Sequence, residues 1–120
     1  MGYESKIYIV EKTRSRYDEN SGVWAKVVAM IDMGKVYPLS DQLKKSPKTD
    51  CFIYADDGNT LILEDCYGDP LTETSISKAI DMVEKAMKMD GYWRYHILLA
   101  ALKAAEKYSS PNTVVLHYGH

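Results

Sequence analysis

Thr74-Ser-Ile-Ser-Lys-Ala-Ile-Asp-Met-Val-Glu-Lys-Ala-Met87 decides the fold, because within it the spacing of apolar residues becomes helical. Ile76, Ala79, Ile80, Val83 and Met87 fall at i, i+3, i+4, i+7 and i+11, one stripe of an amphipathic helix. Thr74 is its expected cap. Lys85 and Lys88 lie toward the end where the helix dipole favours cations, and Gly91 ends it. Upstream the period is two. Lys6-Ile-Tyr-Ile-Val10 alternates, and from Val23 to Ile31 the odd positions Val23, Ala25, Val27, Ala29 and Ile31 are all apolar. These runs predict an antiparallel hairpin across a long loop. Cys51-Phe-Ile-Tyr-Ala55 and Thr60-Leu-Ile-Leu-Glu64 flank Asp56-Asp57-Gly58-Asn59 and predict a second hairpin, with Asp57-Gly58 as a type I′ centre. That register sets Tyr54 opposite Leu61 and turns Phe52, Tyr54, Leu61 and Leu63 toward the core.

Between the hairpins, Gly34, Pro38 and Pro47 predict a loop holding at most one short helical turn, starting at Ser40. Downstream, residues 92–108 predict a second helix. Trp93, Ile97, Ala100, Ala101, Ala104 and Tyr108 form its stripe, which Leu98, Leu99, Leu102 and Ala105 widen past half the circumference. A helix this apolar calls for cover on more than one side, so a homo-oligomer built through helix 92–108 is expected. Thr113 to Tyr118 reads as a final strand that returns beside the first. The order ββββααβ defines an α+β fold: a single domain over residues 1–120, with an antiparallel sheet of about five strands and two helices on one face.

The 120 residues are 46% hydrophobic and 27% charged, the balance of an ordinary globular domain. No window approaches eighteen consecutive apolar residues, so a membrane span is not expected. The opening residues lack the build of a signal peptide, and Lys6 stands where a myristoylation motif needs Ser or Thr; the expected location is the cytoplasm. A net charge of -2 conceals polarity. Between Lys48 and Lys78 there is no basic residue, yet Asp50, Asp56, Asp57, Glu64, Asp65, Asp69 and Glu73 fall there. Such a one-signed stretch can steer a basic partner or repel nucleic acid, and direct nucleic-acid binding is not expected at a pI near 5.9.

Catalytic signatures are missing. No glycine-flanked serine, Cys-His motif or phosphate loop is present, and Asp56-Asp57-Gly58-Asn59 lacks the alternating oxygens of a calcium loop. Cys51 and Cys66 are too few for a zinc site, and the predicted register sets them diagonally, a poor geometry for a disulfide. No metal or other cofactor is expected. An enzyme would require a concave site holding His96 or His117 beside a carboxylate. Ten tyrosines and two tryptophans against one phenylalanine favour rings that border a small core or form a contact surface.

Four segments together resemble small uncharacterised proteins encoded by phages and prophages of Gram-positive bacteria. They are Met1-Gly-Tyr-Glu-Ser-Lys-Ile-Tyr-Ile-Val-Glu-Lys12, Trp24-Ala-Lys-Val-Val-Ala-Met-Ile-Asp32, Ile53-Tyr-Ala-Asp-Asp-Gly-Asn59 and Val114-Val-Leu-His-Tyr-Gly119. The resemblance implies a non-enzymatic accessory protein that acts by binding, such as an anti-defence inhibitor of a host nucleic-acid-processing or CRISPR protein. Residues for contact with a basic host protein are Asp56, Asp57, Glu64, Asp65 and Asp69, with Tyr54 and Tyr67. The alternative is an oligomer that sequesters a nucleotide-like ligand on Arg14, Arg16 and Arg94.

Overall fold

A computed structural model describes residues 3–18 and 22–120, the side chains of residues 14–18 excepted. The elements run β1 (Ser5–Asp18), β2 (Gly22–Gly34), α1 (Tyr37–Leu43), β3 (Cys51–Tyr54), β4 (Leu61–Ile62), β5 (Thr72–Ser75), α2 (Ile76–Met89), α3 (Arg94–Tyr108) and β6 (Thr113–Gly119). The fold is α+β as expected, with a sixth strand and a third helix. The sheet order is β4-β3-β2-β1-β6-β5. It is mixed, since β3 joins β2 in parallel through Val23 and Trp24, while the other pairs are antiparallel.

The first hairpin forms, with Ile7 opposite Ile31 and Ile9 opposite Ala29, but without the long loop expected, since pairing continues to Tyr17 with Val23 and Asp18 with Gly22; the last strand does lie beside the first. A register shift at Ile9/Val10 inserts Val28 as an extra residue in β2, so the odd-numbered positions change sides there. Ala29, Ile31 and Met33 face the helices, while Ala25 packs into a second core on the other side. Pro38, read as an interruption, occupies the first turn of α1, where a missing N–H costs nothing. Ser75, not Thr74, caps α2 by accepting from the Lys78 N–H; Thr74 is buried and bonded to Ser46 at 2.7 Å.

All three helices cover one face of the sheet. Leu39 and Leu43 of α1, Ile80 and Val83 of α2, and Tyr95, Leu98 and Leu102 of α3 close over Ile7, Ile9 and Val115. The outward side of α3 departs from expectation. Of its predicted stripe Ala101 packs against the core, but most of the rest faces outward, leaving Trp93 60%, Ile97 50% and Tyr108 76% exposed.

On the opposite face Val10, Ala25, Cys51, Ile53, Leu71 and Leu116 form the second core, flanked by Tyr8, Ile62, Val114 and Tyr118. The β3–β4 hairpin covers it. Tyr54 pairs with Leu61 and Phe52 is buried as expected, but it is the side carrying Cys51, Ile53 and Ile62 that faces this core, and Leu63 is exposed. The two ends of the sheet then meet: Glu64 bridges Pro70, and the Leu71 N–H donates to Leu63 C=O at 3.2 Å. The hairpin tip needs positive φ only at Gly58, so it is not type I′. Asp57 ties it instead, its carboxylate accepting from the N–H groups of Asn59 and Thr60, both at 2.8 Å.

Candidate functional site

The acidic stretch divides into carboxylates that hold the fold and carboxylates that face outward. Asp50 and Glu73 belong to the first kind. Lys12, from the β1 arm, places its Nζ 3.2 Å from Asp50 and 2.8 Å from Glu73. Burial opposes the Lys12 charge, but the bonds to Glu73 and Asp50 outweigh it and raise its pKa. The Asp50 carboxyl is lowered, burial again opposing and Lys12 prevailing. With Cys51 these carboxylates make a group whose donor atoms lie within 4.8 Å of one another, but the Lys12 ammonium already supplies the cation. Burial pushes the Cys51 thiol up to about 11, so it is not an activated nucleophile. Cys51 and Cys66 are both free thiols.

The outward group gathers around tyrosines. Tyr8 and Tyr118 meet edge to face at 6.5 Å on the helix-free side. Burial raises the Tyr8 hydroxyl, followed by Tyr118, Asp56 and Asp32; burial raises Tyr118, followed by Cys66 and Asp65. Asp65 opens the turn to Asp69. Its Oδ1 accepts from the Tyr67 N–H at 2.9 Å and the Asp69 N–H at 3.0 Å. The turn is fixed to the end of β6 by the Cys66 N–H, which donates to Gly119 C=O at 3.2 Å. Tyr3 is raised by burial first and then by Asp65 and Asp69, which line one cleft with it.

Beside this turn a cleft of about 310 Å³ is lined by Tyr3, Lys44, Asp65, Asp69, Pro70, Thr72 and His117. Tyr3 stacks on Tyr67 at 5.2 Å, and its ring approaches Gly119 so closely that a Cβ there would overlap it. Lys44 carries its ammonium 3.6 Å from the centroid of the Tyr3 ring. His117, 4% exposed, shares a 2.9 Å hydrogen bond with Ser5 through Nε2. Burial and then Lys44 lower its pKa to about 4, so the imidazole is neutral near pH 7. Ser5 is fully buried, which makes this pair a cross-strand bond and not an accessible nucleophile with its base.

The structure therefore brings Asp65, Asp69 and Tyr67 together in one turn, while Asp56 lies at the β3–β4 hairpin. Asp57 is committed to the hairpin tip, and Glu64 is exposed at the bridge to Pro70. Tyr54 lies elsewhere, against Trp24 and Phe52. Of the alternative ligand set, Arg94 donates to the Asp32 C=O at 2.7 Å and rests over Trp93; the side chains of Arg14 and Arg16 lie outside the described residues. His96 is exposed on α3. Sequence reading missed Tyr3, Lys44 and Thr72, whose positions are distant along the chain. Gly119 was the one local signal, a glycine inside an otherwise bulky strand.

No protein-family model, no curated protein and no solved structure matches the chain. No helix among the described residues is long and apolar enough to cross a membrane.

Proposed function

We propose that the protein acts by binding, as an accessory protein of a phage or prophage that engages a basic surface of a host protein in the cytoplasm. Nucleic-acid-processing and defence proteins present such surfaces, and occupying one would inhibit its owner. The observation that supports this reading is the cleft that Asp65 and Asp69 line together with Tyr3, whose ring stacks on Tyr67. Aromatic rings supply contact area at low entropic cost, and carboxylates around them select a positive partner. Neither Ser5 nor Cys51 offers activated chemistry, which favours binding over catalysis.

The test is charge reversal of Asp56 and Asp69 to Lys, followed by affinity capture from host lysate; Asp57 is left in place because it holds the hairpin tip. Host proteins retained by the wild type and lost by the folded double variant support the reading. Capture of the same set overturns it.

A second reading concerns assembly. Trp93, Ile97, Ala104 and Tyr108 form an outward stripe on α3 that is symmetric about Ala100–Ala101. Two copies packed antiparallel across that point would set Trp93 of each against Tyr108 of the other, with small residues allowing close approach at the centre. Sedimentation at micromolar concentration would give a dimer mass, and Ile97→Glu would give a monomer. A monomeric wild type removes this reading.

A further inference from the structure

We infer that the cleft between Tyr3, Asp65, Asp69 and His117 is a receptor for one arginine side chain of a protein partner, with Lys44 as its resident stand-in. The inference rests on the binding role proposed above and adds the group that is recognised.

The volume sets the scale. About 310 Å³ is the lower end of the range for small-molecule sites, enough for one long side chain and too little for a dinucleotide or similar cofactor. The walls then set the chemistry. One face of Tyr3 is supported by the Tyr67 stack, while its ring also receives the Lys44 ammonium at 3.6 Å. The ring position therefore already accommodates a cation, because an aromatic face attracts positive charge. Asp65 and Asp69 lie on the same walls, so an anion entering the cleft would meet two carboxylates. The imidazole of His117 is neutral and does not repel a cation. Thr72 already donates its hydroxyl to Leu43 C=O at 2.9 Å and offers an incoming group only an acceptor. Every feature but Lys44 favours a donor-rich cation.

Lys44 is exposed and follows the last residue of α1, so it can swing out without disturbing the helix. A guanidinium is the better occupant. It is planar, stacks on a tyrosine face, and can present two N–H groups to a carboxylate while it stacks. Gly119 leaves room for the hydroxyl end of the Tyr3 ring against β6, which holds the ring in place before the ligand arrives.

The probes are acetyl-Gly-Arg-Gly-amide and acetyl-Gly-Glu-Gly-amide, whose capped ends leave the side chain as the only charge. Each is titrated into the full chain while the NMR signals of Tyr3, Gly119 and His117 are followed. The arginine peptide is expected to shift these signals saturably, and the glutamate peptide is not. Lys44→Met removes the competing cation and should tighten arginine binding about two- to five-fold, the worth of one exposed cation–π contact. Asp69 makes no side-chain bond within its turn, so Asp69→Asn leaves the fold intact and should weaken binding by a similar factor. The inference is overturned by the absence of saturable shifts with both wild type and Lys44→Met, by preference for the glutamate peptide, or by indifference to Asp69→Asn. The Asp56→Lys variant, whose position is outside the cleft lining, separates the two claims. If it loses host-protein capture while the peptide titration fails, the cleft falls and the binding reading stands.

Discussion

The core beneath the helices and the core beneath the β3–β4 hairpin differ in what borders them. The first is enclosed by aliphatic side chains from three helices and the sheet, with Tyr95 as its largest fully buried residue. The second is smaller. Its margin is made of tyrosines, of the Lys12–Asp50–Glu73 ion group and of turns rich in carboxylates. The difference teaches where stability and recognition reside. A tightly closed apolar layer supplies cooperative stability and leaves nothing to read from outside. A thin core with a polar margin gives less stability and displays charge on a rigid base.

Truncation in the first core should have the largest effect. Leu102→Ala removes a fully buried side chain and is expected to cost about 2–5 kcal/mol in denaturant unfolding, with little change at the cleft. A loss below about 1 kcal/mol would break the proposed division of roles.

Next is acid sensitivity at the cleft. The folded pKa of His117 lies near 4 and the unfolded one near 6.5, so the unfolded chain binds more protons between them. The stability due to neutral His117 is therefore complete above pH 6.5 and lost as pH falls toward 4, by about 1.4 kcal/mol per unit at most. Chemical unfolding across that window should show the slope, and His117→Gln should flatten it.

A smaller effect is expected at the ion group. Glu73→Gln leaves Lys12 with Asp50 alone and should cost about 1–2 kcal/mol at neutral pH. The Lys12 contribution, with its raised pKa, is present below the unfolded lysine pKa and lost as pH rises through the folded one. The smallest change, and one of opposite sign, is expected from Tyr95→Phe. Its buried hydroxyl has no hydrogen-bond partner among the described residues, so removing it should leave stability unchanged or raise it by up to about 1 kcal/mol. Destabilisation would mean that the helix-side core depends on a polar contact after all.

The sequence carries the first core more plainly than the second. Helix α2 announces itself through Ile76, Ala79, Ile80 and Val83, all of which are buried. The hairpin could not disclose its inner side, because Phe52 and Leu63 on one face are as apolar as Ile53 and Ile62 on the other; placement against the sheet decides between them. Strand β5 was invisible because Thr-Glu-Thr-Ser has no apolar alternation, and β6 supplies its pairing. On α3 two apolar faces compete, and the one with Tyr95, Leu98 and Leu102 is buried. The outward turn was legible in part: Asp65 and Asp69 came from the charge pattern, and Tyr67 from its place between them. The cleft was not, since Tyr3, Lys44, Asp69 and His117 meet only when the first and last strands pair.

That pairing governs how the molecule can be made. Strand β1 lies inside the sheet, yet one of its two neighbours, β6, follows every other element, with Ser5 and His117 separated by 112 positions. On the ribosome β1 can zip with β2 early, but its other side stays open until β6 emerges. During that interval the half-built sheet offers an unpaired edge of backbone donors and acceptors, the usual opening for mispairing with a neighbouring nascent chain. A pause in translation before β6 has left the exit tunnel would lengthen that exposure.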